Sequence, residues 1–139
     1  MQTNNPGAAI EAIVCTFLES DSLRFIAKNY HCRLGEIDLI MFDDASNTLV
    51  FVEVRFRTQS NFGSATETVD WAKQRKLKRA ALHYLQKYAD AKQRARIDVV
   101  GVCNMPTHNA KPDSLNSFGV STHQHDGYLL RWTRNAMED

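Results

Sequence analysis

The spacing of apolar positions changes several times along the chain, and each change marks an element. Between residues 8 and 20, apolar side chains recur at Ile10, Ile13, Val14, Phe17 and Leu18. That is the i, i+3, i+4, i+7, i+8 rhythm of an amphipathic helix. In projection Glu11 falls at the edge of the apolar stripe, beside Leu18, and Glu19 falls nearly opposite it. Glu11 is thus placed to look into a site, while Glu19 should face water. Residues 23–30 alternate weakly and predict a short strand, with a turn at 32–35. Residues 36–42 and 48–57 are rich in β-branched and aromatic side chains and predict two strong strands. Both carry apolar residues on both faces, as strands inside a covered sheet do. The polar stretch 43–47 joins them as a turn.

A polar loop follows at 58–68, then a long helix over roughly 69–91, with Val69, Leu77, Ala80, Tyr84 and Tyr88 on one face. Residues 96–103 predict another buried strand. Residues 104–127 hold Pro106, Pro112, Gly119 and many polar residues, and are expected to form a long loop. Residues 128–132 supply a last short element, expected at a sheet edge. The order α-β-β-β-α-β predicts an α/β fold, a mixed sheet flanked by helices.

Strand periodicity then brings charges together. Glu36 and Asp38 share a face of the first strong strand; Glu53, Arg55 and Arg57 share a face of the second. An antiparallel hairpin with loop 44–47 would pair Asp43 with Thr48, set Asp38 opposite Glu53, and set Glu36 opposite Arg55. Directly opposite side chains lie about 5 Å apart, where like charges repel. Two facing carboxylates need a cation or a proton between them. Mg²⁺ suits such a place, because it takes one or two carboxylates together with waters and phosphate oxygens. Ion pairs of Glu36 with Arg55 and Asp38 with Arg57 would neutralise the same charges without any metal. Glu53 and Arg55 nevertheless sit in mid-strand, a poor place for idle charge. Lys73 falls inside the apolar stripe of the long helix, where it either snorkels to water or points into the same site.

The chain has 139 residues, enough for one domain with its own core. Hydrophobic residues make up 43% and charged residues 24%, so extensive disorder is excluded. No apolar run approaches the ~20 residues of a membrane span, and no basic residue precedes the first apolar stretch as in a secretory signal. Cys15, Cys32 and Cys103 are odd in number and widely spaced. They suggest reduced cysteines in a cytoplasmic protein and make no zinc pattern. The net charge of +1 conceals an asymmetry: residues 53–96 hold eleven Lys and Arg against four Asp and Glu. Five of the seven residues in KQRKLKR (73–79) are basic, which suits sequence-independent phosphate contacts.

GEIDLI, FVEVRFR, the KQRKLKRAALHYL helix and RIDVVGV, in that order, resemble the YraN-like family of small bacterial proteins. The resemblance runs from about residue 8 to 103, with an echo at Asn135 and Ala136. That family is similar to the PD-(D/E)xK nucleases, particularly archaeal Holliday-junction resolvases. The resemblance implies a restriction-endonuclease-like core and one nuclease-like domain over residues 1–139. It implies Asp38 and Glu53 as catalytic acids and Mg²⁺ or Mn²⁺ ligands, with Glu11 as an outer ligand and Glu36 in support. Arg55 stands where the motif's lysine belongs. Arginine stays protonated and cannot act as a general base, so Arg55 would stabilise transition-state charge and Lys73 would supply the amine. Arg57, Arg75, Lys76, Lys78 and Arg79 are expected to contact nucleic acid, in the first place DNA, and two-fold junction DNA would suit a homodimer. The alternatives are a catalytically silent nucleic-acid-binding module, which Arg55 favours, and a protein-interaction adaptor using Trp71 and the 104–127 loop. Phe62 is expected to touch a backbone or base, or to anchor its loop. Asp98 is expected to be structural, paired with Arg96 or a helix end. His123 and His125 are expected to be exposed loop residues, and Trp132 to be a packing residue.

Overall fold

A computed structural model of the chain describes residues 6–57, 71–90, 92–105 and 119–137. Helix α1 (Pro6–Ser20) leads into strands β1 (Arg24–Cys32), β2 (Gly35–Asp43) and β3 (Thr48–Arg57). Helix α2 (Trp71–Tyr88) precedes β4 (Arg94–Asn104), β5 (Val120–His125) and β6 (Tyr128–Thr133). The six strands form one mixed sheet in the order β1-β2-β3-β4-β6-β5. β3 and β4 are parallel, which requires a crossover connection, and α2 supplies it.

Each helix covers one face. The predicted stripe of α1 buries Ile10, Val14, Phe17 and Leu18 against a cluster containing Leu39, Val52 and Trp132. Val14 and Leu18 are fully buried, and each contributes about 1.5–3 kcal/mol of hydrophobic stabilisation. The other face packs Leu77, Ala80 and Ala81 of α2 on Ile37, Ile40 and Phe51. Both faces of β2 and β3 are therefore covered, as their unbroken apolar sequences predict. Glu19 is exposed and Glu11 half-buried, as the helical projection requires.

The β2–β3 hairpin has the expected register: Asp43 pairs with Thr48 and Leu39 with Val52. Its ladder stops there. Residues 35–37 of β2 stay paired with β1, and residues 53–57 of β3 stay paired with β4. The sheet thus forks between β2 and β3 just where Asp38 and Glu53 would be the next pair.

The C-terminal region differs from the expectation. Residues 120–125 are not loop but the edge strand β5, and β6 lies inside the sheet between β4 and β5. Asp126 (φ 51°) and Gly127 (φ 82°) turn the chain between them, a two-residue link of the kind Asp-Gly favours. His123 is accordingly no exposed loop residue. It packs 4.8 Å from Phe17, ring centroid to centroid, and shares a hydrogen bond of 2.7 Å with Ser121. Burial lowers its pKa. The predicted helix start at Val69, the 58–68 loop with Phe62, and most of the expected long loop lie outside the described residues.

Asp98 is structural, and Arg96 is its partner as expected. Its fully buried carboxylate accepts from Arg96 Nε at 3.0 Å, Trp132 Nε1 at 2.9 Å and the Asn135 backbone N–H at 2.9 Å. One buried charge thereby ties β4, β6 and the C-terminal turn together, and its several donors repay its desolvation.

Candidate nuclease-like site at the sheet fork

Asp38 sits in the fork. Its Oδ2 accepts the Val54 backbone N–H at 2.8 Å. A side chain here takes the hydrogen bond that the neighbouring strand would otherwise provide. Opening the ladder also makes Asp38 reachable from both faces of the sheet. From the α1 face comes Glu11, whose carboxyl hydrogen-bonds with that of Asp38. From the α2 face comes Glu53, buried to 3% exposure, which also hydrogen-bonds with Asp38. Three carboxyls, from α1, β2 and β3, are therefore neighbours at the fork, with Asp38 in contact with both others.

Such a cluster of acids cannot be fully ionised at low cost. Burial, and then the adjacent Asp38, push the Glu53 pKa up to about 7. Burial likewise raises Asp38, against the lowering effect of its bonds to Glu53 and the Val54 N–H. Burial also raises Glu11. The cation that answers them is Lys73, whose Nζ stands 2.7 Å from Glu53 Oε2. Of the two arrangements its position in the stripe allowed, Lys73 takes the one that points into the site. This ion pair answers the charge of a buried oxygen for which no further hydrogen-bond partner is found among the described residues.

Asp38 and Glu53 open onto a groove of about 710 Å³, whereas Glu11 lines a separate hollow with Cys15, Lys28 and Leu39. One wall is the β1–β2 tip, with His31, Arg33, Leu34 and Glu36; the other is the start of α2, with Lys73 and Lys76. The walls nearly touch at Gly35, where an added Cβ would lie 2.8 Å from the Lys76 carbonyl oxygen. Glu36 lies on the rim, its carboxylate 3.1 Å from His31 Nδ1. Arg55 and Arg57 follow Glu53 along the half-open part of β3, opposite Gly101 and Cys103 of β4.

The basic helix divides by direction. Lys73 and Lys76 face the groove. Arg75 and Arg79 are exposed on the outer side, with the Arg75 guanidinium 4.6 Å from the centroid of the Trp71 ring. Lys78 instead lines a separate hollow beside Arg96 and Met137.

Among the described residues no three His, Cys, Asp or Glu side chains form a ready metal cage. The donor set still suits a hard cation that keeps most of its waters. It offers two neighbouring carboxyls, one with a buried oxygen held by Lys73, and a third carboxyl, that of Glu11, beside Asp38.

Sequence reasoning missed the groove wall at His31, Arg33 and Gly35, and the part played by the Val54 N–H. The backbone approach at Gly35 had only the turn glycine as a signal. The Val54 contact had no signal, because period and register do not reveal where a ladder stops.

The α-β-β-β-α-β order and mixed central sheet are those of a restriction-endonuclease-like core, and fold and family together match the PD-(D/E)xK-like proteins. The family model described as "Uncharacterised protein family UPF0102" matches residues 10–102. The chain belongs to this family, the YraN-like proteins of the sequence comparison. A UPF0102 protein of Nitrosococcus oceani is 48% identical over 97 residues, covering 69% of this chain and 77% of that one. One from Photobacterium profundum is 46% identical over 98 residues, covering 69% and 77%. One from Alcanivorax borkumensis is 33% identical over 132 residues, covering 95% and 90%. No helix among the described residues is long and apolar enough to cross a membrane.

Proposed function

We propose that this protein is a metal-dependent endonuclease acting on branched or otherwise structured DNA. The observation that carries the reading is the convergence of Asp38, Glu53 and Lys73 at the fork, beside a groove lined by further basic residues. Asp38 and Glu53 would hold Mg²⁺ or Mn²⁺, with Glu11 as an outer ligand or water-orienting group and Glu36 supporting from the rim. The bound cation would polarise the phosphate and lower the pKa of a bound water. The chain's own cations supply the rest. Lys73 holds the attacking water or a phosphate oxygen, doing from the helix what the missing strand lysine does in the motif. Arg55 stabilises the charge that builds on the phosphate. Lys76 and the outer Arg75 and Arg79, with Arg57 on β3, contact backbone phosphates; Lys78 faces elsewhere and contributes to the field only.

A second reading rests on Arg55 itself: the same groove binds nucleic acid without cutting it. Cleavage of a labelled four-way junction and a flap, with Mg²⁺ or Mn²⁺, separates the two. The nuclease reading expects cleavage that Asp38→Ala abolishes and Lys73→Ala lowers at least tenfold. Cleavage intact in Asp38→Ala and Glu53→Ala refutes the site. Binding that weakens steeply with salt, without cleavage, favours the silent module.

A further inference from the structure

Trp71 opens α2 with its side chain on the outer face of the helix, 68% exposed. It is the most exposed large hydrophobic residue among those described. The Arg75 guanidinium covers one side of the indole at 4.6 Å, the (i, i+4) neighbour a helix provides. This contact orients the ring while leaving most of it to solvent. Lys73, two residues on, reaches the acids, and Lys76 lines the groove below. An oriented, open aromatic face and cationic neighbours therefore share the first turns of one helix, whose Lys73 reaches Glu53 of β3.

Charge selects the occupant. The 73–79 segment has five basic residues in seven and no acidic one, so the ligand of this helix end is anionic. A flat anionic polymer with stacking faces is nucleic acid, and an aromatic face beside phosphate-binding cations suits an unpaired base. An exposed indole can stack only on a base whose face is free, and the bases inside a duplex are already stacked on one another. The groove on the inner side of the same helix is lined by Arg33, Lys73 and Lys76.

We propose that Trp71, held by Arg75, is a stacking platform for an unpaired base, and that the groove takes the single-stranded part of a nucleic-acid substrate. The inference rests on the nucleic-acid reading above and narrows its substrate to strands with exposed bases: flaps, gaps and open junction centres.

Fluorescence titration of the full chain in EDTA tests it. The two tryptophans separate cleanly, because Trp132 is 1% exposed and Trp71 is open. A thymidine oligonucleotide should quench Trp71 emission, and a blunt duplex of equal length should quench it little. Stacking one base is worth about 1–3 kcal/mol. Trp71→Ala should therefore weaken single-strand binding roughly 5- to 150-fold, leave duplex binding unchanged and abolish the quench. Trp71→Phe should keep most of the affinity. The site is exposed and Ala favours helix, so equal melting temperatures will show that both variants fold. Salt-sensitive single-strand binding that Trp71→Ala leaves intact overturns the platform and spares the nucleic-acid reading. No binding of either DNA by the wild type, at low salt, overturns both.

Discussion

Replacing Glu53 by glutamine should make the metal-free protein more stable at alkaline pH, although it removes an ion pair. Glu53 ordinarily ionises at 4.5 and is pushed up to about 7 here by burial and by Asp38. The folded chain therefore holds this proton more tightly than the unfolded chain. The associated stability is complete below pH 4.5, falls as pH rises, and is gone above about 7. At ~1.4 kcal/mol per pH unit, ionising Glu53 costs the fold about 3 kcal/mol by pH 8. Glutamine keeps the shape and can donate to Asp38, but never ionises. The lost contact with Lys73 subtracts little, because Lys73 is half exposed, and such pairs contribute about 0–1 kcal/mol. The net gain at pH 8 should be about 2 kcal/mol, a rise in melting temperature of roughly 5–10 °C. Circular-dichroism melts of wild type and Glu53→Gln in EDTA, from pH 5 to 8, measure it. The difference should grow with pH. A variant less stable by the same margin at every pH would show that Glu53 is held as an ordinary carboxylate, and the carboxyl-pair argument would fail.

Calorimetric titration with Mn²⁺ should show binding that Asp38→Ala and Glu53→Ala each abolish; equal binding by all three proteins would place the ion elsewhere. Asp98→Ala should cost about 2–3 kcal/mol in urea unfolding, since it strands the buried Trp132 donor and the Asn135 backbone N–H and takes a partner from the half-buried Arg96; a loss under 1 kcal/mol would mean the C-terminal turn is held otherwise. Gly35→Ala should destabilise by about 1–3 kcal/mol, because its Cβ would lie 2.8 Å from the Lys76 carbonyl oxygen; wild-type stability would show that the two groove walls can part freely.

The hairpin that carries the acids was legible because two constraints agree on it. Loop 44–47 sets the pairing of Asp43 with Thr48, and a one-residue slip would turn Glu53 to the face away from Lys73. The contact of Glu11 was half legible. A helical projection places it at the edge of the stripe, but reaching Asp38 from the opposite face requires the sheet to be open. That opening is a property of the backbone and leaves no periodic trace. β5 was illegible for another reason: VSTHQH has no apolar alternation, because an edge strand buries little. The Asp126-Gly127 pair was the signal that announced it, a turn dipeptide ahead of the apolar YLLRW. Lys73 could be narrowed by its angle on the helix to two arrangements and no further, since a four-carbon stem can reach either water or the acids.

The bond from Val54 to Asp38 joins two selective pressures in one atom. Asp38 Oδ2 closes the end of a β-ladder and is also a proposed ligand of the site. Folding alone is then enough to keep an acceptor at this position, whatever happens to the chemistry. Lys73 and Arg55 fill no such gap in the ladder and are freer to drift. A lineage of this fold that gave up cleavage would lose its cations first and its aspartate last, so the helix lysine is the better marker of an active member.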